Sequence, residues 1–206
     1  MKFDILPLFS QPLASFQLDI DNEKILHVLK TKLKFEKTVN KNTDSYMSTD
    51  NKIFNNYKEL SSLKKESNIC IKKYIEEVLK NNFKFKIYNS WGTMVPINVS
   101  SQAHIHRNSL LSGVYYPLCS DGVKITFHKN EGIETFYAFN EPKEYNLFNS
   151  NTWTVSPSAG TLLIFPSTLM HSIDKNITKG KRYSIAFSVN PVGKFCMGSD
   201  IEVEFK

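Results

Sequence analysis

Two periodicities divide the chain. Over the first part, apolar positions recur at helical spacing. Ile25, Leu26, Leu29 and Leu33 share one face over roughly 22–34. Ile53, Tyr57, Leu60 and Leu63 begin a second run, which continues through Ile71, Tyr74, Ile75, Val78 and Leu79. Asp21 or Asn22 is the expected cap of the first helix, and Asn81-Asn82 the expected stop of the second. Residues 3–9 (FDILPLF) read as a short strand that its Pro confines to an edge. The polar stretch 36–51 reads as a loop.

From residue 83 the period falls to two. FKFKIYN (83–89) alternates as a half-buried strand does. Further strand candidates fall at 93–99, 110–118, 123–128, 133–139, 145–148, 152–155, 160–165 and 182–190, punctuated by Gly, Pro, Asn and Asp. Helices first and many short strands afterwards predict an α+β fold, with helices packed on one face of a β-sandwich or barrel. One domain is expected over 1–206, with a strand and supporting helices in 1–82 and the β core in 83–206.

Composition narrows the class. At 41% hydrophobic, 206 residues can bury a core without disulfides or a structural metal. No run approaches the ~18 apolar residues of a membrane span. Asp4 and Pro7 interrupt the N-terminus and no small-residue cleavage site follows, so no signal peptide and a cytoplasmic location are expected. Cys70, Cys119 and Cys196 are odd in number and far apart, which argues against a disulfide framework and a zinc finger. The net charge is +6, but no block of like charges marks a nucleic-acid surface. There are 24 Lys and two Arg, Arg107 and Arg182. A guanidinium is not replaceable by Lys where a planar fork must grip a carboxylate or phosphate, so these two positions draw notice.

Five His are present. His104 and His106 form an H-x-H pair in QAHIHRNS, and in an extended segment residues two apart point the same way. His171 follows the apolar stretch LLIFPSTLM, whose end a β-sandwich can bring beside that pair. Three imidazoles then face one metal with positions left open. Eleven residues on, Arg182 and Ser184 share a face of RYSIAFSV, a receptor suited to the far carboxylate of a dicarboxylate that chelates the metal.

These residues resemble the 2-oxoglutarate and iron(II)-dependent oxygenases, whose pattern is H-x-D, a distal His and R-x-S. SGVYYPL (112–118) is similar to the prolyl-hydroxylase strand in which a tyrosine also binds oxoglutarate, and Tyr116 is the matching residue. The order SW-x(6)-N, H-x-H-x-N-S-x-x-SGVYY, LLIFPS-x-x-x-H-S and R-x-S-I-A-F more closely resembles uncharacterised oxygenases of phages and small genomes, over about 90–190. The resemblance implies a double-stranded β-helix (jelly-roll, cupin-like) core. It implies His104, His106 and His171 as metal ligands, and Arg182, Ser184 and Tyr116 as the oxoglutarate site. The cofactors would be iron(II) and 2-oxoglutarate, and the partners O₂ and a small-molecule, peptide or protein substrate hydroxylated at a C–H bond. Arg107 is a candidate substrate contact, with a structural salt bridge as the alternative. His106 stands where the superfamily has a carboxylate; zinc also suits three imidazoles, and His106 could be a neighbour of the metal instead of a ligand.

Two other readings compete. Gly160, Pro166 and His171 fit a cupin motif, yet a cupin wants a Glu soon after H-x-H, where Leu110 and Leu111 stand, and gives Arg182 no task. A non-catalytic binding protein on the same scaffold is the second. His27 and His128 read as ordinary, Trp91 and Trp153 as core or sheet edge, and Asn98 as a residue that could face the cofactor.

Overall fold

The computed structural model describes residues 2–6, 10–38, 45–119, 122–129, 143–195 and 203–205. Strands β1 (Ala14–Gln17), β2 (Phe35–Lys37), β3 (Tyr46–Ser48), β4 (Phe85–Val95), β5 (Leu111–Tyr116), β8 (Thr161–Pro166) and β10 (Arg182–Pro191) form an antiparallel sheet in the order β1-β8-β5-β10-β4-β3-β2. A smaller sheet, β7-β6-β9, joins β6 (Ile125–His128), β7 (Thr152–Val155) and β9 (His171–Ile173). A separate hairpin pairs β11 (Gly193–Phe195) with β12 (Val203–Phe205).

Helices cover one face of the large sheet. Helix α1 (Asn22–His27) is capped by Asp21, whose side chain accepts from Lys24 N at 3.0 Å, and runs into a π-helical stretch over Val28–Lys32. Helix α2 (Ile53–Asn56), a 3₁₀ turn and helix α3 (Ser61–Lys73) follow. Their apolar stripe, including Ile25, Leu29, Leu60 and Ile71, packs with Leu162, Ile164, Ile185 and Phe187 of the sheet. Two glycines allow this close approach. A Cβ at Gly92 would meet Leu33 and Leu29 at 2.8 and 2.9 Å, and one at Gly113 would strike the Phe187 ring.

The other face looks to the small sheet. Val114, Leu163 and Phe165 pack there with Val123, Ile125 and Phe127. Between the sheets, toward one end, a cavity of about 520 Å³ opens.

Several expectations are corrected. Residues 3–6 are not a strand, and 7–9 lie outside the described residues; the edge strand is β1, which pairs with β8. Phe3, Ile5 and Leu6 are exposed, with no sheet edge to join. The loop expected at 36–51 holds β2 and β3, because β4 offers β3 an edge that local polarity cannot reveal. Residues 145–148 form a turn, with the Asn146 side chain accepting from Phe148 N. The strands expected at 83–89 and 93–99 merge into β4, which ends at Val95. The candidate at 133–139 lies outside the described residues. Among the described residues, no helix is long and apolar enough to cross a membrane.

Candidate metal centre

The H-x-H segment runs alongside β9. His104 N donates to His171 O at 2.9 Å, and His171 N donates back to His104 O at 3.0 Å. Two residues on, His106 N donates to Ser167 O at 2.9 Å. Backbone pairing, and not side-chain chance, therefore sets the spacing of the three imidazoles. One ligating atom from each of His104, His106 and His171 lies within 4.8 Å of the others. Their ring centroids are 4.5 to 5.2 Å apart.

Local bonds fix two of the rings. His104 Nδ1 meets Gln102 O at 2.8 Å, and His171 Nδ1 meets Leu169 O at 2.9 Å. A carbonyl can only accept, so each Nδ1 carries the proton and each Nε2 keeps its lone pair. Burial pushes His106 down to about 4 and His171 down to about 3; neighbouring imidazoles add to the shift, and the Leu169 carbonyl opposes it at His171. Both are neutral near pH 7 and able to bind a cation. Three nitrogen donors of this kind suit iron(II) and zinc alike.

Arg182 and Tyr116 are buried on the same side of the large sheet as Ser184. Arg182 opens β10 opposite Val95 and is 5% exposed. Tyr116 follows Tyr115, which pairs with Ile185, so it stands near the level of Ser184. Arg182 Nε, Arg182 Nη1 and Tyr116 Oη are buried without a hydrogen-bond partner among the described residues. Burial pushes the guanidinium down from its usual value, opposed by Tyr116 and other neighbours. It pushes the Tyr116 phenol up, opposed by Arg182, so the phenol remains a donor. Each orphaned polar group costs ~1–3 kcal/mol. One carboxylate accepting from both residues would remove that cost, so the residues present fit a carboxylate ligand here. Ser184, whose Oγ lies 2.5 Å from Thr93 Oγ1, lines the cavity that the imidazoles also line.

Other candidates scatter. Arg107 is exposed at the cavity mouth. Asn98 is exposed in a turn with φ 64° and does not line the cavity. His128 Nε2 bonds Ser172 Oγ at 2.8 Å, and His27 faces solvent beside Thr31. Trp153 is a half-exposed residue of the edge strand β7. Trp91, read as core or edge, is buried and also walls the cavity, with its ring 5.7 Å from His106. Thr93 was not singled out at all. Gly92 interrupted the reading of β4, and with it the alternation that puts Trp91, Thr93 and Val95 on one face. Ser112 is also new; its Oγ lies 2.8 Å from Ser167 Oγ, under the carbonyl that holds His106.

The family described as "Putative 2OG-Fe(II) oxygenase" matches residues 89–188, the stretch that carries all three imidazoles and Arg182. No curated protein matches the chain by sequence. Solved structures do match by shape. A prolyl hydroxylase from Trichoplax adhaerens, in complex with a hypoxia inducible factor peptide fragment, superposes with TM-score 0.63 at 13% identity, covering 89% of this chain and 86% of that one. A Pseudomonas putida prolyl-4-hydroxylase gives TM-score 0.56 at 13% identity, over 90% and 96%. HygX from Streptomyces hygroscopicus, solved with nickel and 2-oxoglutarate bound, gives 0.57 at 10% identity, over 88% and 83%. At these identities the likeness is one of fold, the double-stranded β-helix.

Proposed function

We propose that this chain, which belongs with the 2OG-Fe(II) oxygenases through its residues 89–188, is an iron(II)- and 2-oxoglutarate-dependent dioxygenase that hydroxylates a C–H bond of a small-molecule or peptide substrate. The observation that carries this reading is the pairing of two features on the cavity side of the large sheet. Three imidazoles converge, and buried donors of Arg182 and Tyr116, beside the cavity-lining Ser184, have no acceptor among the described residues. A chelating dicarboxylate answers both.

His104, His106 and His171 would hold the iron. Arg182 and Tyr116 would take the far carboxylate of 2-oxoglutarate, with Ser184 beside them. When bound, iron and oxoglutarate supply the activation of O₂ and the oxidising power. The chain's own residues position and exclude. The carbonyls of Gln102 and Leu169 keep Nε2 of His104 and His171 free, and Trp91, Phe165 and Phe127 keep water from the imidazoles. We read residues 1–206 as one working unit. The free thiols of Cys70 and Cys119 suit a reducing compartment such as the cytoplasm.

The test is anaerobic addition of iron(II) to metal-free protein, followed by titration with 2-oxoglutarate. The visible charge-transfer band of the chelate is expected. His171→Ala should abolish it and Arg182→Ala should raise the oxoglutarate concentration needed. Iron binding without a band would favour a cupin-like enzyme, and no iron binding a non-catalytic protein.

A further inference from the structure

The cavity mouth carries a cation with no protein anion beside it. Arg107 follows His106 directly and lines the cavity. It is exposed, and it forms no ion pair among the described residues. No Asp or Glu is among the described residues lining the cavity. Of the chain's two arginines, Arg107 lines the cavity and Arg182 is buried on the same side of the large sheet, while no Lys is among the described residues of the lining. Among the described residues, no salt bridge explains Arg107 structurally.

The turn presenting Arg107 is held from both sides. His106 N is fixed by Ser167 O. Asn108, at φ 61°, has its carbonyl bonded by Asn190 Nδ2 at 2.9 Å, and Asn190 Oδ1 accepts from Leu110 N at 2.9 Å. Only the side chain then remains to be ordered when a ligand arrives. Charge points the same way. Three neutral imidazoles give a divalent ion no compensating charge, so 2-oxoglutarate as a dianion balances the ion. The two guanidiniums then leave ion, oxoglutarate and arginines together with a net positive charge, which favours a further anion near Arg107.

We propose that the substrate oxidised at this centre carries a carboxylate, and that Arg107 binds it. The proposal rests on the oxygenase reading above. A guanidinium fork matches a carboxylate in plane and in two bonds. A phosphate dianion would call for a second cation, and the described lining offers none. The cavity, about 520 Å³ for all its contents, suits a small molecule or a single inserted side chain. The carboxylate could belong to a free amino acid or to an acidic side chain of a peptide.

Trp91 provides a reporter on the cavity wall, and Trp153→Phe makes it the sole tryptophan. The anaerobic iron(II)–oxoglutarate complex of that variant would be titrated with free amino acids. Their C-terminal amides, and short Asp- or Glu-containing peptides blocked at both ends, would run beside them. We expect a carboxylate probe to change Trp91 emission saturably, and the matching uncharged probe to bind about tenfold more weakly or worse. Arg107→Gln should erase that difference and Arg107→Lys restore part of it, with the visible band intact in both. Free acids binding would identify a small-molecule substrate; blocked peptides alone would identify an acidic peptide. If amides bind as well as acids, if Arg107→Gln keeps the preference, or if no carboxylate probe binds while the band forms, the assignment is overturned. Absence of the band overturns instead the reading on which it rests.

Discussion

On β10, Ile185, Phe187 and Val189 point toward the helices, while Arg182, Ser184 and Ala186 point toward the small sheet. On β5, Tyr115 goes one way and Tyr116 the other. The helix face is mostly apolar, and Ser67 Oγ of α3 is its one buried side-chain polar atom without a partner among the described residues. Tyr115 Oη, the polar atom it carries at this point, donates to Asn22 Oδ1. The cavity face keeps a buried guanidinium and a buried phenol unsatisfied. Folding is driven from the first face, and the second is left incomplete for a ligand to finish. Alternation along a strand makes this separation available at single-residue resolution.

The comparison breaks most visibly on the helix side. Ile185 is fully buried among the helices and strands. Ile185→Ala should destabilise by ~2–5 kcal/mol, since it removes transferred surface and leaves a cavity. Urea denaturation measures this. Ser184→Ala, one residue away, removes only a hydroxyl paired with Thr93 and should cost ~1 kcal/mol or less. If the two costs were equal, the division of labour between the faces would be wrong.

A change of opposite sign is expected on the cavity side. Arg182 is 5% exposed, and two of its nitrogens have no partner. Arg182→Met should therefore stabilise the ligand-free protein by ~1–3 kcal/mol, because an uncompensated buried charge gives way to apolar volume. The same variant should lose the rise in melting temperature that 2-oxoglutarate gives the native, metal-loaded protein. A destabilised ligand-free variant would mean that Arg182 is structural.

Much of this division is legible in the sequence, and the gaps have physical causes. The shared face of Arg182 and Ser184 follows from period two, and the choice of Tyr116 over Tyr115 follows from the resemblance of SGVYYPL to the prolyl-hydroxylase strand. The helices at 22–34 and 53–79 were marked by their stripes because they cover the sheet and bury one side. What escaped depends on distant partners. Strands β2 and β3 are three residues each, too short for a pattern to mark, and pair because β4 offers an edge. Strand β9 is three residues long, and its pairing with His104 is what assembles the imidazoles. Trp91 reads as core or sheet edge and is buried, but its place in the cavity wall depends on the continuous β4, whose Gly92 is the point where Leu29 and Leu33 press on the sheet. Composition adds what pattern cannot, since the chain's only two arginines are Arg107, which lines the cavity, and Arg182, which is buried beside the cavity-lining Ser184.

The smallest expected effect separates the two faces most sharply. Tyr115 and Tyr116 are adjacent, chemically identical and both almost fully buried. Only the surroundings of their hydroxyls differ. Tyr115→Phe removes the bond to Asn22 and leaves that amide oxygen short of a donor, which should cost ~1 kcal/mol of stability. It should not change oxoglutarate binding. Tyr116→Phe removes a hydroxyl with no partner in the ligand-free protein, so its stability should hold or rise slightly. Its oxoglutarate affinity, read from the visible band, should fall by about tenfold, the worth of one hydrogen bond to a charged group. The double variant should show both effects added, because the hydroxyls share no partner across the sheet. An oxoglutarate defect in Tyr115→Phe, or a stability loss in Tyr116→Phe, would mean that the faces are coupled and that the cavity is part of what holds the fold together.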